Sequence, residues 1–244
     1  MAQQVGVDIG GTFTDSIAID PVTNEVRLGK VPTTPQNQAF GFLDALRTMD
    51  VDLAAISWLV HGTTVGTNAT LERKGAKVGM ITTRGFRDVL ELGRRDRPQL
   101  YGLFGQFDPL VQREHRVEVG GRIDGDGKEI EPIDDEEIAR AVDALERRGV
   151  ESLLIGFLHS YANRKHEERA ARIARKRWGA PYVTTSADIL GEFREFERFG
   201  TGAVNAYIQP LIHRYVNRLR DELGRAGVKR DLAIMQANGG IMAA

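Results

Sequence analysis

The chain has 244 residues, with 33 basic and 34 acidic side chains and a net charge of −1, so no field attractive to nucleic acid or an anionic membrane is expected. It has no cysteine, which excludes disulfides, thiolate metal ligands and a cysteine nucleophile. No apolar run approaches the ~20 residues that span a bilayer and no signal peptide is visible, so a soluble, cytoplasmic protein is expected.

Three short strands are expected first, at 5–9, 15–20 and 25–30, with Pro21-Val22-Thr23-Asn24 closing the last two into a hairpin. A helix over 36–49 places Phe40, Leu43 and Leu46 on one stripe. A strand at 56–60, a turn at 61–64 and a helix over 65–74 come next, then a strand at 77–82 and a short helix near 86–92. Strands alternating with helices in this way indicate a mixed sheet with helical layers. Residues 93–132 have turn residues and charges without a clean period and read as a long excursion, with a hairpin around 124–127. Asp134 is placed to cap a helix with Glu137 in its first turn and Ile138, Ala141, Val142 and Leu145 on its apolar face, and Gly149 ends it. A strand at 152–158, a helix capped by Asn163 and ending at Gly179, and a short strand at 182–184 follow. A long helix over 202–223 carries Val204, Ile208, Leu211, Tyr215 and Leu219, and the chain closes on a strand at 232–236 and the turn Asn238-Gly239-Gly240.

Chemistry concentrates in a few places. In VGVDIGGTFTDSIAID, residues 5–20, a carboxylate, two glycines and two hydroxyls gather at one strand end. Gly10 and Gly11 let backbone N–H groups approach an anion, Thr12 and Thr14 can donate hydrogen bonds, and Asp8 can hold a hydrated magnesium ion. An ordinary tight hairpin explains the glycines equally simply. In LVHGTTVGTNATLERKGAK, residues 59–77, His61, Thr63, Thr64 and Asn68 either line a substrate or phosphate pocket or do no more than cap a helix and bond locally. Arg94, Arg95 and Arg97 either clamp an anion or form a solvated charged loop. Glu197, Arg198, Thr201 and Asn205 fit helix packing and surface pairing. QANGG, residues 236–240, suits a hairpin or a ligand loop. No phosphate loop of the GxxxxGK[ST] type, no GxGxxG, no HExxH and no GxSxG is present, and the five histidines are scattered.

Taken together, GVDIGGTFTD, KVPTTP, HGTTVGTNATLERKGAK, ITTRGFRDVLELGR, the segment from Arg97 to Tyr101, GFLHSYANRKHE, EFERFGTGAVNAYIQPL and IMQANGG make the chain resemble the N-terminal part of the ATP-dependent hydantoinase/oxoprolinase family. That family includes the A-type subunit of N-methylhydantoinases, 5-oxoprolinase, and acetone and acetophenone carboxylase subunits. Gly66 and Gly200 stand where such sequences usually carry Ala and Ser or Thr.

The resemblance implies an α/β, ribonuclease H-like, actin-type ATPase fold: a mixed sheet flanked by helices, with ATP between two lobes and the second lobe incomplete. Residues 1–187 would be the N-terminal domain and 188–244 the beginning of the second lobe. By position, Asp8, Gly10, Gly11, Thr12, Thr14 and Asp15 match the first phosphate motif, His61 to Thr64 the segment near the cleft, and Asn238, Gly239 and Gly240 the turn opening the second lobe. The implied activity is part of an ATP- and magnesium-dependent hydrolase of cyclic amides that phosphorylates the amide oxygen. Its expected partners are a small cyclic amide and a B-type subunit, with no nucleic acid and no membrane. In that reading Asp8 holds magnesium, His61 orients substrate, and Thr63, Thr64, Asn68 and Arg94 contact it. A ketone carboxylase subunit, a non-catalytic partner-binding module and a sugar kinase are the alternatives. The family's A-type subunits run well beyond this length, so the chain is expected to be either a fragment or a naturally short relative.

Overall fold

A computed structural model of the chain describes residues 3–34, 38–94, 101, 108–179 and 181–244. It opens with β1 (Gln3–Ile9), β2 (Phe13–Ile19) and β3 (Val26–Pro32), followed by α1 (Gln38–Thr48), β4 (Ile56–Thr63) and α2 (Val65–Leu71). Next come β5 (Val78–Thr83), α3 (Val89–Leu92), β6 (Arg116–Val119), β7 (Arg122–Ile123), β8 (Glu129–Glu131) and α4 (Asp135–Arg147). The chain continues through β9 (Ser152–Gly156), α5 (Lys165–Arg177), β10 (Val183–Thr185) and α6 (Ser186–Ile189). It ends with α7 (Glu195–Arg225), β11 (Leu232–Met235) and β12 (Ile241–Ala243). Two compact units interleave along it: Met1–Leu71 with Ile212–Ala244, and Glu72–Leu211.

The first unit holds a six-stranded sheet in the order β12-β11-β4-β1-β2-β3. β1, β2 and β3 pair antiparallel, while β4 and then β11 add to β1 in parallel. This is the mixed strand pattern of a ribonuclease H-like fold, as the resemblance implies. One face is packed. Val5, Val7, Ile9 and Ala18 meet Phe42, Leu43 and Leu46 of α1 and Leu219 and Leu223 of α7. The alternate residues point to the open face, where Ile17, Leu28 and Trp58 are 38%, 74% and 54% exposed. A sheet covered on one side reads as an alternating pattern, and β1 and β2 do. The apolar stripe of α1 differs from expectation. Phe40 is 52% exposed and Phe42 takes its place in the core, because two residues are ~200° apart around a helix.

The second unit is built on a parallel sheet in the order β10-β9-β5-β6. Every residue of β5 and β9 is buried. Ile138 and Leu145 of α4 and Ala170 and Ala174 of α5 pack against Ile81 and Ile155 on one face. Phe199, Ala203 and Tyr207 of α7 pack against Val78, Met80 and Leu154 on the other. Gly156 permits that second contact, since a Cβ there would lie 2.8 Å from the Phe199 ring. A buried polar pair ties these layers together. The Glu167 carboxylate accepts from Phe157 N, Ala187 N and Ser186 Oγ, at 2.9, 2.9 and 2.6 Å. Arg198, wholly buried, donates to Ser186 Oγ, Phe157 O and Glu192 O. Burial pushes the Glu167 carboxyl above the usual carboxylate range.

Several boundaries differ from the sequence expectation. The long helix begins at Glu195 and not at 202, and β6 forms inside the segment read as irregular. Asp134 does accept from Glu136 N, at 2.9 Å, but Glu137 does not reach back to complete a capping box. Its carboxylate accepts instead from Gly120 N and from Arg84. The expected helix start at Gln36, and Arg95 and Arg97, lie outside the described residues.

Candidate functional site

In the first unit β11, β4 and β1 are neighbours and run parallel, so their carboxyl ends lie at one edge of the sheet. Three of the motifs singled out above follow those ends: Gly10-Gly11-Thr12 after β1, Thr64 after β4, and Gln236–Gly240 after β11. The carboxyl edge is where open α/β sheets bind ligands, because the connecting loops diverge there and leave a crevice. Pairing across the sheet has assembled segments that are far apart in the chain.

The first turn is held from outside. Gly10 N donates to Phe13 O at 3.0 Å, Thr33 N to Thr12 O at 2.9 Å, and Thr33 Oγ1 to Gly10 O at 2.9 Å. A Cβ on Gly11 would meet nothing within 4 Å, so the turn presents open backbone. Thr12 is exposed. Thr14 is not part of this surface. It is fully buried on the α1 side, and its hydroxyl bonds Thr33 Oγ1 at 3.2 Å.

On the open face, register places Asp8 opposite Asp15 on one side and opposite Gly62 on the other. These residues line a hollow of about 540 Å³, together with Lys30, Leu28 and Met235 among others. Lys30 Nζ pairs with Asp15 Oδ1 at 2.9 Å, whereas the Asp8 carboxylate has no hydrogen bond or ion pair among the described residues. Gly62 explains how Asp8 fits. A Cβ at position 62 would stand 2.6 Å from Asp8 Oδ1, so the missing side chain is the space in which the carboxylate lies. Gly62 falls within the turn expected over 61–64. It is a strand residue, and only the cross-strand register reveals its role. Two carboxylates, one neutralised by lysine and one free, suit a hydrated divalent cation, which takes one or two carboxylates and keeps its waters. No group of three or more acidic or histidine ligands occurs among the described residues.

His61, Gly62 and Thr63 were expected in a turn and are the last residues of β4. His61 therefore points to the face opposite Asp8. It is fully buried beside Phe42, with ring centroids 5.2 Å apart. Its Nδ1 lies 3.0 Å from Val7 O, a pure acceptor, so Nδ1 bears the proton. Nε2 then accepts from the Tyr215 hydroxyl at 2.6 Å. The result is a directional chain of hydrogen bonds from Tyr215 through His61 to the backbone of β1. Thr63 Oγ1 accepts from Val65 N at 3.3 Å. Burial holds the His61 imidazole below its ordinary pKa, against its hydrogen bond to the Val7 carbonyl and the charge of Asp8. Burial pushes the Tyr215 phenol up to about 12.

Thr64 is exposed and Thr63 half-buried, and Asn68 Nδ2, on the seven-residue α2, donates back to Thr64 Oγ1 just before it, at 3.2 Å. Gly239 (φ 84°) and Gly240 sit in the turn that joins β11 to β12, closed by Gln236 N to Gly240 O at 2.7 Å. Arg94 belongs to the second unit, where it is exposed and ion-paired with Glu197.

Comparison with known proteins follows the same lines. The family model described as the hydantoinase/oxoprolinase N-terminal region matches residues 4–178, and that described as hydantoinase/oxoprolinase matches residues 198–244. An uncharacterized protein of Methanocaldococcus jannaschii is 40% identical over 99% of this chain and 36% of its own length. The caprolactamase subunit alpha of Pseudomonas jessenii is 35% identical over 98% of this chain and 36% of its own. The nucleotide-free structure of acetone carboxylase, from work on ATP-dependent acetone carboxylation, aligns with a TM-score of 0.84 at 28% identity. That alignment covers 99% of this chain and 37% of the other. The chain thus spans about a third of the length of these relatives.

Proposed function

The chain belongs to the hydantoinase/oxoprolinase family, and from that premise we propose that it is part of an ATP-dependent hydrolase of cyclic amides, contributing the first phosphate-binding motif. The observation that carries this reading is the free Asp8 carboxylate, seated over Gly62 at the carboxyl edge of β1 and beside the open Gly10-Gly11-Thr12 turn. Backbone N–H groups of that turn and the Thr12 hydroxyl would receive phosphate oxygens. Asp8, with Asp15 beyond it, would hold magnesium through water. When bound, that ion would neutralise phosphate charge during phosphoryl transfer to the amide oxygen. Thr64 and Gly239–Gly240, on the neighbouring strand ends, stand along the same edge. Asn68, behind Thr64, would contact the amide, and Arg94 remains a proposed substrate contact.

Buried with both nitrogens engaged, His61 cannot touch a substrate in this structure. The role we assign to it is positional: it fixes β1 against β4 and so the place of Asp8, while Thr63 accepts from Val65 N at the start of α2. Thr14 likewise supports the turn from beneath. A ketone carboxylase subunit is the second reading, favoured by the fit to acetone carboxylase. A B-type partner subunit and a cytoplasmic location belong to the same proposal, the first supported by the subunit naming of the caprolactamase relative. A family boundary at 187/188 also remains a proposal. The two family models leave 179–197 between them, whereas the compact units divide the chain elsewhere.

Calorimetric titration with ATP, with and without magnesium, tests the reading. Magnesium-dependent binding tighter than about 1 mM, or ~4 kcal/mol, is expected, and Asp8→Asn should weaken it about tenfold or more. Gly62→Ala should act in the same direction while leaving the fold intact, since the Asp8 side chain can swing away from a new methyl group. Binding that Asp8→Asn leaves unchanged would overturn the assignment.

A further inference from the structure

We propose that the second compact unit carries an oxyanion-binding site, for a carboxylate or phosphate group of a small molecule, lined by Arg87, Arg113, Arg116 and Arg148. It does not rest on the function proposed for the first unit. The four arginines and Glu114 line a hollow of about 470 Å³, within the usual size range of small-molecule pockets.

Arg116, on β6, is the centre of the argument. Its side chain has no exposed surface. Nε donates to Val111 O at 2.9 Å, and Nη1 to Arg87 O and Glu91 Oε2 at 3.1 and 3.3 Å. Nη2 is buried and has no hydrogen-bond partner. Arg87 Nε is in the same condition, with Glu118 and Asp88 at 3.9 and 4.0 Å, beyond hydrogen-bond reach. Four buried side-chain polar atoms lack a partner among the described residues, and two of them are guanidinium nitrogens of residues lining this one hollow. Leaving a buried donor unmade costs about 1–3 kcal/mol, and more when it is charged. One oxyanion has enough lone pairs to satisfy both, and planar guanidinium forks match its geometry.

The carboxylates nearby are already committed. Asp88 Oδ1 has Arg113, Arg116 and Arg87 at 2.9, 3.7 and 4.0 Å, and Arg113 grips both Asp88 oxygens. Glu91 faces Arg116, and Glu118 faces Arg87 and accepts from Gly85 N. Glu114 is the only carboxylate among the lining residues. Arg148 is exposed and donates to the Glu114 carbonyl, which holds its guanidinium at the rim. The adjacent His115 has its pKa lowered first by burial and then by Lys77, with Arg148 acting in the same direction.

Arginine Nε–H resonances of the ¹⁵N-labelled chain, followed while inorganic phosphate and, separately, acetate are added, test the site. Saturable shifts of the Arg87 and Arg116 signals are expected with at least one anion. Phosphate alone would indicate a phosphate-bearing ligand, and acetate alone a carboxylate. Arg148→Ala, at an exposed position, should weaken binding about tenfold, with Arg148→Lys intermediate. Asp8→Asn, in the other unit, should titrate like the unmodified chain whether or not the nucleotide reading holds. Shifts that grow linearly without saturating, as from ionic screening, would overturn the proposal, as would saturation unchanged in Arg148→Ala.

Discussion

The two sheets of this molecule solve the same packing problem in opposite ways. In the second unit β5 and β9 are buried at every position, because α4 and α5 cover one face and α7 the other. In the first, α1 and the end of α7 cover one face, and alternate residues of β1 and β2 stay exposed on the other. The contrast teaches where chemistry can sit. A parallel sheet sealed on both sides offers ligands only its ends and loops. A sheet open on one side can carry charged side chains along its strands, as Asp8, Asp15 and Lys30 show.

Substitutions on the two sheets should separate them sharply. Leu154→Ala, at a fully buried position of β9, should lower stability by about 2–5 kcal/mol in denaturant unfolding. A loss below about 1 kcal/mol would mean that the second unit is not packed as described. A smaller effect, about 1 kcal/mol, is expected for Tyr215→Phe, which leaves His61 Nε2 without its donor. The same histidine sets a pH dependence. Its folded pKa lies below the ordinary 6.5, so the unfolded chain binds the extra proton more readily. That contribution to stability is complete above about 6.5 and is lost as pH falls through the window below it. NMR titration of the His61 ring should show a neutral, Nδ1-protonated imidazole at pH 6.5, and an imidazolium there would contradict the burial argument. The smallest effect is expected at Leu28, 74% exposed on the open face, where Leu28→Ser should change stability by no more than about 0.5 kcal/mol. A large loss there would show that the open face is covered in solution.

The same contrast explains what could be read without coordinates. The strands expected at 5–9 and 15–20 are found as β1 and β2, joined by the Gly10-Gly11 turn, but the wet face of β2 was not legible, because Ser16 is buried and Ile17 is exposed. The heptad-like spacing of Ile138, Ala141, Val142 and Leu145 announced α4, and these four are buried as expected. β6 left no mark, since its four residues mix charged and apolar side chains and Arg116 is buried with its charge. The faces of His61 and Gly62 were equally hidden. Whether a residue near a strand end continues the strand or turns is decided by its neighbour, here β1, which pairs through Thr63. The motif residues were identifiable, but register alone divides them into Asp8 and Gly62 on the open side and His61 and Thr14 on the packed side.

The insertion of β11 beside β4 also sets an order in time. The second unit is one continuous stretch, and all of it has been synthesised once Leu211 is made. The first begins at the N-terminus but lacks a strand until Leu232–Met235 arrives, and Leu219 and Leu223 of its core come late as well. During synthesis, then, the later-encoded unit can close before the earlier one, and β1–β4 must wait with one edge unpaired. A chain ending near residue 220 and free of the ribosome would carry a complete parallel sheet attached to an unfinished mixed one.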